Sequence, residues 1–164
     1  MRRFHILFLC THNSSRSILA EAIASTHPSQ IFIAHSAGSS PGMAVNPFAA
    51  ELAMEMGYPA SKLRSKSWDE FERADSPKMD FIITVCDSAA GEICPVWPGN
   101  PITAHWGFPD PSQVTGSDEI KRQAFREVMM GIRLRMDLLA SLPLGKLDSM
   151  SMQQELKKLA QPSI

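Results

Sequence analysis

The sequence predicts an α/β domain of three layers, in which a four-stranded, mostly parallel sheet is flanked by helices. Short apolar runs of strand length alternate with longer segments whose apolar residues recur at helical spacing. The strand-like runs are almost continuously apolar, as strands covered on both faces are. The first run also passes through a brief polar loop straight into a helix, the opening unit of an alternating fold that binds ligands at the carboxyl ends of its strands. A chain of 164 residues, 44% hydrophobic and 20% charged, suits one core that needs neither disulfides nor metal.

The first strand is read over residues 3–9 and its helix over 17–24, which stops short of Pro28. A second strand is expected over 31–34. A Gly/Ser/Pro loop through Gly42 then leads to a helix with Asn46 as N-cap, Pro47 at the first helical position and Gly57 as the left-handed terminator. Ser67-Trp68-Asp69-Glu70 has capping-box spacing for a shorter helix. Residues 81–85 form the third strand and place Cys86 at its carboxyl end. Five prolines from Cys94 to Pro111 inclusive exclude a continuous helix and predict a long loop around a short strand at 102–104. Ser117 begins the longest helix, with Asp118 and Glu119 in its first turn and an apolar stripe of Ile120, Ala124, Val128, Ile132, Met136 and Leu139. Pro143 and Gly145 end it. Residues 1–145 are therefore read as a single catalytic domain, and 146–164 as a polar tail with a short helix near 152–159.

Composition narrows the function. Sixteen basic against seventeen acidic residues leave a net charge of −1, so no general field draws a nucleic acid or an acidic membrane, and any anion site must be local. At 7% aromatic residues there is little for a base-stacking platform. The basic and then apolar start ends too soon, at Thr11-His12-Asn13, to be a secretory signal, and a cytoplasmic protein is expected. No apolar surface pattern demands a dimer, so a monomer is expected. Three cysteines point to thiol chemistry rather than to a disulfide framework.

The strongest motif is Cys10-Thr11-His12-Asn13-Ser14-Ser15-Arg16-Ser17. A cysteine and an arginine six positions apart are weak evidence alone. Their setting between a buried strand and a helix start is stronger, because backbone amides and the helix dipole converge there on an anion. Residues 11–17 then form a cradle for a tetrahedral oxyanion, with Thr11, His12, Asn13, Ser14, Ser15 and Ser17 contributing alongside Arg16. The same amides and the guanidinium of Arg16 favour the thiolate of Cys10 and make it nucleophilic. Arg16 can grip two oxyanion oxygens as a fork. Ser17 can donate to the sulfur, and Asn13 tolerates the left-handed backbone of a tight loop. The side chain of His12 receives no separate role.

Cys86 ends a strand, so a parallel sheet places it at the edge where Cys10 lies. Cys94 is separated from it by Asp87-Ser88-Ala89-Ala90-Gly91-Glu92-Ile93, read as one helical turn with a flexible exit. A bridge requires the two Cα atoms within about 7 Å, so the turn must unwind if helix holds them further apart. Two other readings compete: buried packing cysteines, or a metal site with His105. The seven-residue interval is unlike a zinc knuckle, and no metal or organic cofactor is expected. Asp110, in the proline-rich loop, is placed to protonate a leaving oxygen when a bound anion favours its neutral form.

Together, residues 10–17, the pair Cys86/Cys94 and His105-Trp106-Gly107-Phe108-Pro109-Asp110-Pro111 resemble the arsenate reductases built on the low-molecular-weight tyrosine phosphatase fold, over roughly residues 3–140. The resemblance implies that Cys10 attacks arsenate, Arg16 steadies the oxyanion and Asp110 protonates the departing oxygen. It further implies that Cys86 attacks Cys10 with release of arsenite, and that Cys94 then moves the disulfide outward to Cys86–Cys94 for an external thiol system to reduce. Ser15 stands where thioredoxin-linked members often carry another cysteine, and the interval from Cys86 to Cys94 is one residue longer. Residues 89–99, Ala-Ala-Gly-Glu-Ile-Cys-Pro-Val-Trp-Pro-Gly, resemble a variant bacterial branch. Thioredoxin is the expected reductant, with glutaredoxin and glutathione the alternative.

Two rivals use the same loop. A low-molecular-weight protein tyrosine phosphatase needs only Cys10, Arg16 and Asp110 and proceeds through a phosphocysteine. By resemblance such phosphatases set aromatic residues just after Asp-Pro, whereas Ser112-Gln113-Val114 follows here. A non-enzymatic oxyanion or redox sensor would hold the anion without turnover.

Overall fold

The computed structural model describes residues 2–42, 44–85, 97 and 99–161. Numbered in chain order, its described elements are β1 (Phe4–Cys10), α1 (Arg16–Ser25), β2 (Phe32–Gly38), α2 (Pro47–Glu55), α3 (Asp69–Glu72), β3 (Phe81–Thr84), β4 (Ile102–His105), α4 (Asp118–Ser141) and α5 (Ser149–Lys158). The strands form one sheet in the order β2-β1-β3-β4, and every pairing is parallel. The fold class expected from the sequence is the one observed.

β1 owes its central place to residues that are apolar on both faces. Phe4, Ile6, Phe8 and Cys10 join the larger core with Ile18, Leu19 and Ile23 of α1, Leu52 of α2, and Phe125, Val128, Ile132, Met136 and Leu139 of α4. Leu7 and Leu9 turn to the other face, where they meet Ile82, Phe71 and Met79. That second face is closed by Trp68, whose ring meets Trp97 edge-on at 6.4 Å between centroids. The alternation is the two-residue period of a strand, and covering both faces makes β1 the least slippable element of the sheet.

Local signals act largely as the sequence indicates. The side chain of Asn46 accepts from the Phe48 amide at 2.9 Å, Pro47 opens α2, and Gly57 has φ 92°. Ser117 caps α4 by accepting from the Ile120 amide. β2, expected to end at residue 34, runs on to Gly38 because its register with β1 continues as far as Cys10. The capping box at α3 forms by half: Ser67 Oγ accepts from the Asp69 amide, but Glu70 turns instead to Arg64 in a two-pronged pair at 2.6 and 2.9 Å. A guanidinium that matches both carboxylate oxygens outcompetes a single backbone N–H.

The apolar stripe of α4 also needs correction at its start. Ile120 is 54% exposed and Ala124 only partly buried, because the first turn stands in solvent; Phe125, at 1% exposure, is the first residue to enter the core. At the other end, the helix expected near 152–159 begins earlier, at Ser149, with Asp148 as its cap. Its Leu156 is fully buried, the Leu156 carbonyl accepts from the Trp106 indole at 3.0 Å, and Gln153 donates to the Thr103 carbonyl of β4. No helix among the described residues is long and apolar enough to cross a membrane.

Two stability predictions follow from this packing. Leu156→Ala should cost about 2–4 kcal/mol by chemical denaturation, the usual range for emptying a fully buried leucine site. His35 stacks on His5 with ring nitrogens 3.1 Å apart, and burial, then His5 and Lys66, lower its pKa to about 4. The unfolded chain therefore takes up this proton first, so the contribution of a neutral His35 is complete above pH ~6.5 and is lost as pH falls towards ~4. Unfolding measured across that window should show a loss on the order of 2 kcal/mol that His35→Gln largely removes.

Candidate active site

Cys10 is the last residue of β1, 5% exposed, and is in register with Gly38 at the end of β2. Gly38 has no side chain for a definite reason: a Cβ there would sit 2.5 Å from the Thr11 carbonyl oxygen. The loop after Cys10 therefore passes directly against β2.

The loop is braced from outside by its carbonyl groups. Thr11 O accepts from the Ser40 amide, His12 O from the Gly42 amide and the Ser65 hydroxyl, and Ser14 O from the Asn46 amide, all at 2.7–2.9 Å. Ser15 O receives the first helical bond of α1, from Leu19. With these carbonyls bonded outward, the peptide N–H groups at the start of α1 are arranged for an anion at the centre. His12 is exposed, and its ring Nδ1 lies 3.1 Å from the Ser40 carbonyl oxygen.

Asn13 is fully buried at φ 50°, the left-handed conformation expected for it. Its amide nitrogen donates to Ser17 Oγ at 2.8 Å and to Ser36 Oγ at 2.9 Å, while its oxygen accepts from the Lys66 amide at 3.0 Å. Ser17 is likewise fully buried.

Arg16 begins α1, and its side chain is only 15% exposed. Its Nη1 donates to the Phe108 carbonyl at 3.0 Å, and its Nη2 lies 3.5 Å from Asp110 Oδ2, so the structure brings together the arginine and the acid that the sequence singled out 94 positions apart. The Phe108 ring is itself held under the Arg135 guanidinium, 4.6 Å from its centroid. Among the described residues, Arg16 Nε and Ser15 Oγ are buried without a hydrogen-bond partner. Both belong to the loop, and an oxyanion seated there would give each an acceptor.

Asp110 also caps the turn that follows, accepting from the Ser112 amide at 3.0 Å and the Ser112 hydroxyl at 2.6 Å. Partial burial raises its pKa, but these bonds and then the charge of Arg16 outweigh it and hold the carboxyl below the usual range. In this state Asp110 is a carboxylate.

Cys86 and Cys94 lie outside the described residues, as does the helical turn expected between them. β3 leads towards them from a fixed position: Thr84 is in register with Leu9, and the buried Val85 donates its amide to the Leu9 carbonyl at 2.9 Å. His105 meets Thr84 across β3 and β4, with Nδ1 2.8 Å from Oγ1.

Sequence reasoning missed Glu21, Ser36, Tyr58 and Lys66, which surround Asn13 in a buried polar cluster. One signal was present, a lone Glu21 inside the apolar stretch of α1; nothing local marked Lys66 as buried. The carbonyl of Phe108 was also missed, since backbone acceptors leave no trace in side-chain identity.

A family model described as low molecular weight phosphotyrosine protein phosphatase matches residues 5–158. The arsenate reductase of Halalkalibacterium halodurans is 37% identical over 128 residues, 78% of this chain and 88% of that protein. Among solved structures, the arsenate reductase of Archaeoglobus fulgidus superposes with a TM-score of 0.63 at 30% identity, covering 84% of this chain and 99% of the other. The thioredoxin-dependent arsenate reductase of Corynebacterium glutamicum does so with a TM-score of 0.57 at 26% identity, covering 88% of this chain and 64% of the other. Strand order, the Cys10 loop and the family match agree: the chain belongs to the low molecular weight phosphotyrosine protein phosphatase family, in which its likeness runs to arsenate reductases.

Proposed function

We propose that the protein is an arsenate reductase that works through a thiolate–arsenate adduct and an intramolecular disulfide relay. The observation that carries the chemistry is the loop itself: a buried Cys10 at the end of β1, a loop that runs into the start of α1, Arg16 beside Asp110, and two buried loop atoms that find no partner among the described residues. The reductase reading over the phosphatase one rests on Cys86 and Cys94 in the sequence and on relatives named arsenate reductase.

Arsenate enters the loop as an anion and recruits Arg16. Cys10 attacks arsenic, a sulfur–arsenic bond forms, and Asp110 gives its proton to the departing oxygen, which leaves as water. Asp110 must gain that proton first. When the guanidinium turns from Asp110 to the anion, the carboxylate loses a counter-charge and gains a negative neighbour, and both changes raise its pKa. Cys86 then attacks the sulfur of Cys10; the sulfur–arsenic bond breaks, its electron pair stays on arsenic, and arsenite leaves. Attack of Cys94 on Cys86 releases the Cys10 thiolate and leaves Cys86–Cys94 for an external dithiol. Thioredoxin is the favoured reductant, in line with the Corynebacterium glutamicum relative. Glutaredoxin with glutathione is the second choice. Residues 11–17 supply the cradle, and no resident metal or organic cofactor takes part.

With thioredoxin, its reductase and NADPH, the purified protein should oxidise NADPH only when arsenate is present, and Cys10→Ser, Cys86→Ser and Cys94→Ser should each abolish multiple turnover. Full turnover by the Cys86 and Cys94 variants with either reductant would end the relay mechanism, and efficient hydrolysis of p-nitrophenyl phosphate without arsenate reduction would favour a phosphatase. Asp110→Asn should lower kcat about 100-fold, within the usual range for a general acid. It should also flatten the alkaline limb of the pH profile, since only a protonated Asp110 can donate; an unchanged limb would remove the acid role from this residue.

A further inference from the structure

Phe108 holds the arginine of the loop, and two residues of α4 hold Phe108. Its carbonyl accepts from Arg16 Nη1 at 3.0 Å. Its ring meets the guanidinium of Arg135, whose central carbon is 4.6 Å from the ring centroid, and it also meets Gly131, where a Cβ would stand 3.1 Å from a ring carbon. Any side chain at 131 would press on that ring.

Neither residue is there for the good of α4 itself. A glycine in a helix interior weakens the helix. Arg135 is partly buried; its Nη1 donates at 2.9 Å to the Gly131 carbonyl, an acceptor that the helix already uses, and its Nη2 donates at 2.9 Å to the Ala160 carbonyl just beyond α5. Its Nε is buried with no hydrogen-bond partner among the described residues, so the guanidinium is taken from water with one donor unmet, at a cost. What the two residues share is the Phe108 ring. The glycine leaves it room, and the cation lies over its face, an attraction that strengthens as water is excluded.

Ring and carbonyl belong to one residue, and the Phe108 amide is tied as well, to the Val85 carbonyl at 3.3 Å. Where the ring is held, the carbonyl has little freedom. With Nη1 spent on that carbonyl, the guanidinium of Arg16 keeps the edge formed by Nε and Nη2 for an anion. Nε is buried and unpartnered among the described residues, and Nη2 lies 3.5 Å from Asp110 Oδ2, the contact that an entering anion displaces.

We propose that Arg135 is a positioning residue for Arg16: it holds the Phe108 ring against Gly131 and so fixes the carbonyl that leaves the Nε–Nη2 edge of Arg16 to the oxyanion. This rests on the reading that the Cys10 loop binds an oxyanion. The competing role for Arg135 is a fastener for the end of α5, through the Ala160 carbonyl alone.

The test uses the full chain, kept reduced, with inorganic phosphate as the calorimetric probe and arsenate turnover as the second readout. Arg135→Met keeps the length of the side chain and removes the cation. Phosphate should then bind about tenfold more weakly, as when one charge-assisted hydrogen bond of a fork is misplaced, and kcat/KM for arsenate should fall by a similar factor. Phe108→Leu keeps the carbonyl, loses the ring and should weaken phosphate binding about as much. Because both act on one carbonyl, Arg135→Met/Phe108→Leu should bind no more weakly than the worse single variant, whereas independent effects would multiply to about a hundredfold and overturn the proposal. Gly131→Ala changes no charge and is the better helix former, so phosphate binding should weaken severalfold with little loss of melting temperature. If Arg135→Met lowers the melting temperature and leaves phosphate binding in place, the arginine is only a fastener and the proposal falls. It falls too if Arg135→Met weakens binding while Phe108→Leu and Gly131→Ala do not, for the loss is then that of a nearby positive charge. Should Arg135→Met fail to fold, the two uncharged variants decide alone. If the unsubstituted protein neither binds phosphate nor turns over arsenate, the oxyanion reading itself fails and this proposal with it; normal binding by the variants refutes only the role of Arg135.

Discussion

Everything in this molecule is hung from β1. It is buried on both faces, paired in parallel with β2 on one side and β3 on the other, and it stops at Cys10. Because a strand has a two-residue period, a slip of one position would exchange Phe8 for Leu9 and turn Cys10 from the α1 face to the other. The packing of Phe4, Ile6, Leu7, Phe8 and Leu9 therefore fixes where one sulfur points. The loop beyond needs no energy of its own to choose a direction, since β1 delivers it and α1 receives it.

The loop is not an isolated motif fastened to that frame. Its carbonyls are bonded to residues 40, 42, 46 and 65, and its asparagine is held from 36 and 66. All of those partners come from β2 or from the stretch between it and α3, so the chain from residue 36 to residue 66 acts as the mould of the anion cradle. Gly38 is the closest point of the mould, where the backbones leave no room even for a methyl group. Arg16 is fixed from a third direction, by the carbonyl of Phe108, whose ring is in turn clasped by Arg135 of α4.

Much of this was legible in the sequence, for physical reasons that can be named. Strand and helix follow from apolar spacing, and caps at Asn46 and Ser117 follow from side chains that can accept a backbone N–H only at a helix start. Cys10, Arg16 and Asp110 were visible because their chemistry is rare and their places in strand, helix start and loop are distinct. The features that escaped depend on long-range partners. Glu70 has the spacing of a capping box, yet an arginine six residues earlier claims it. Ile120 continues a helical period, but the first turn of α4 stands in solvent and the core is reached only at Phe125. Lys66 reads as a surface lysine until tertiary structure closes four oxygen atoms around it. Periodicity reports which face is buried; it does not report what a charged residue meets when it is buried there.

The short helix α5 has a consequence beyond filling the core. A sheet of four strands that does not close on itself leaves two rims, and an unpaired rim is a template on which another chain can add a strand. At β4, Gln153 of α5 takes the Thr103 carbonyl; at β2, the guanidinium of Arg3 takes the Phe32 carbonyl at 3.1 Å. Each rim thus has a main-chain acceptor already occupied by a side chain of the same molecule, which works against strand addition and chain-to-chain aggregation at both ends of the sheet.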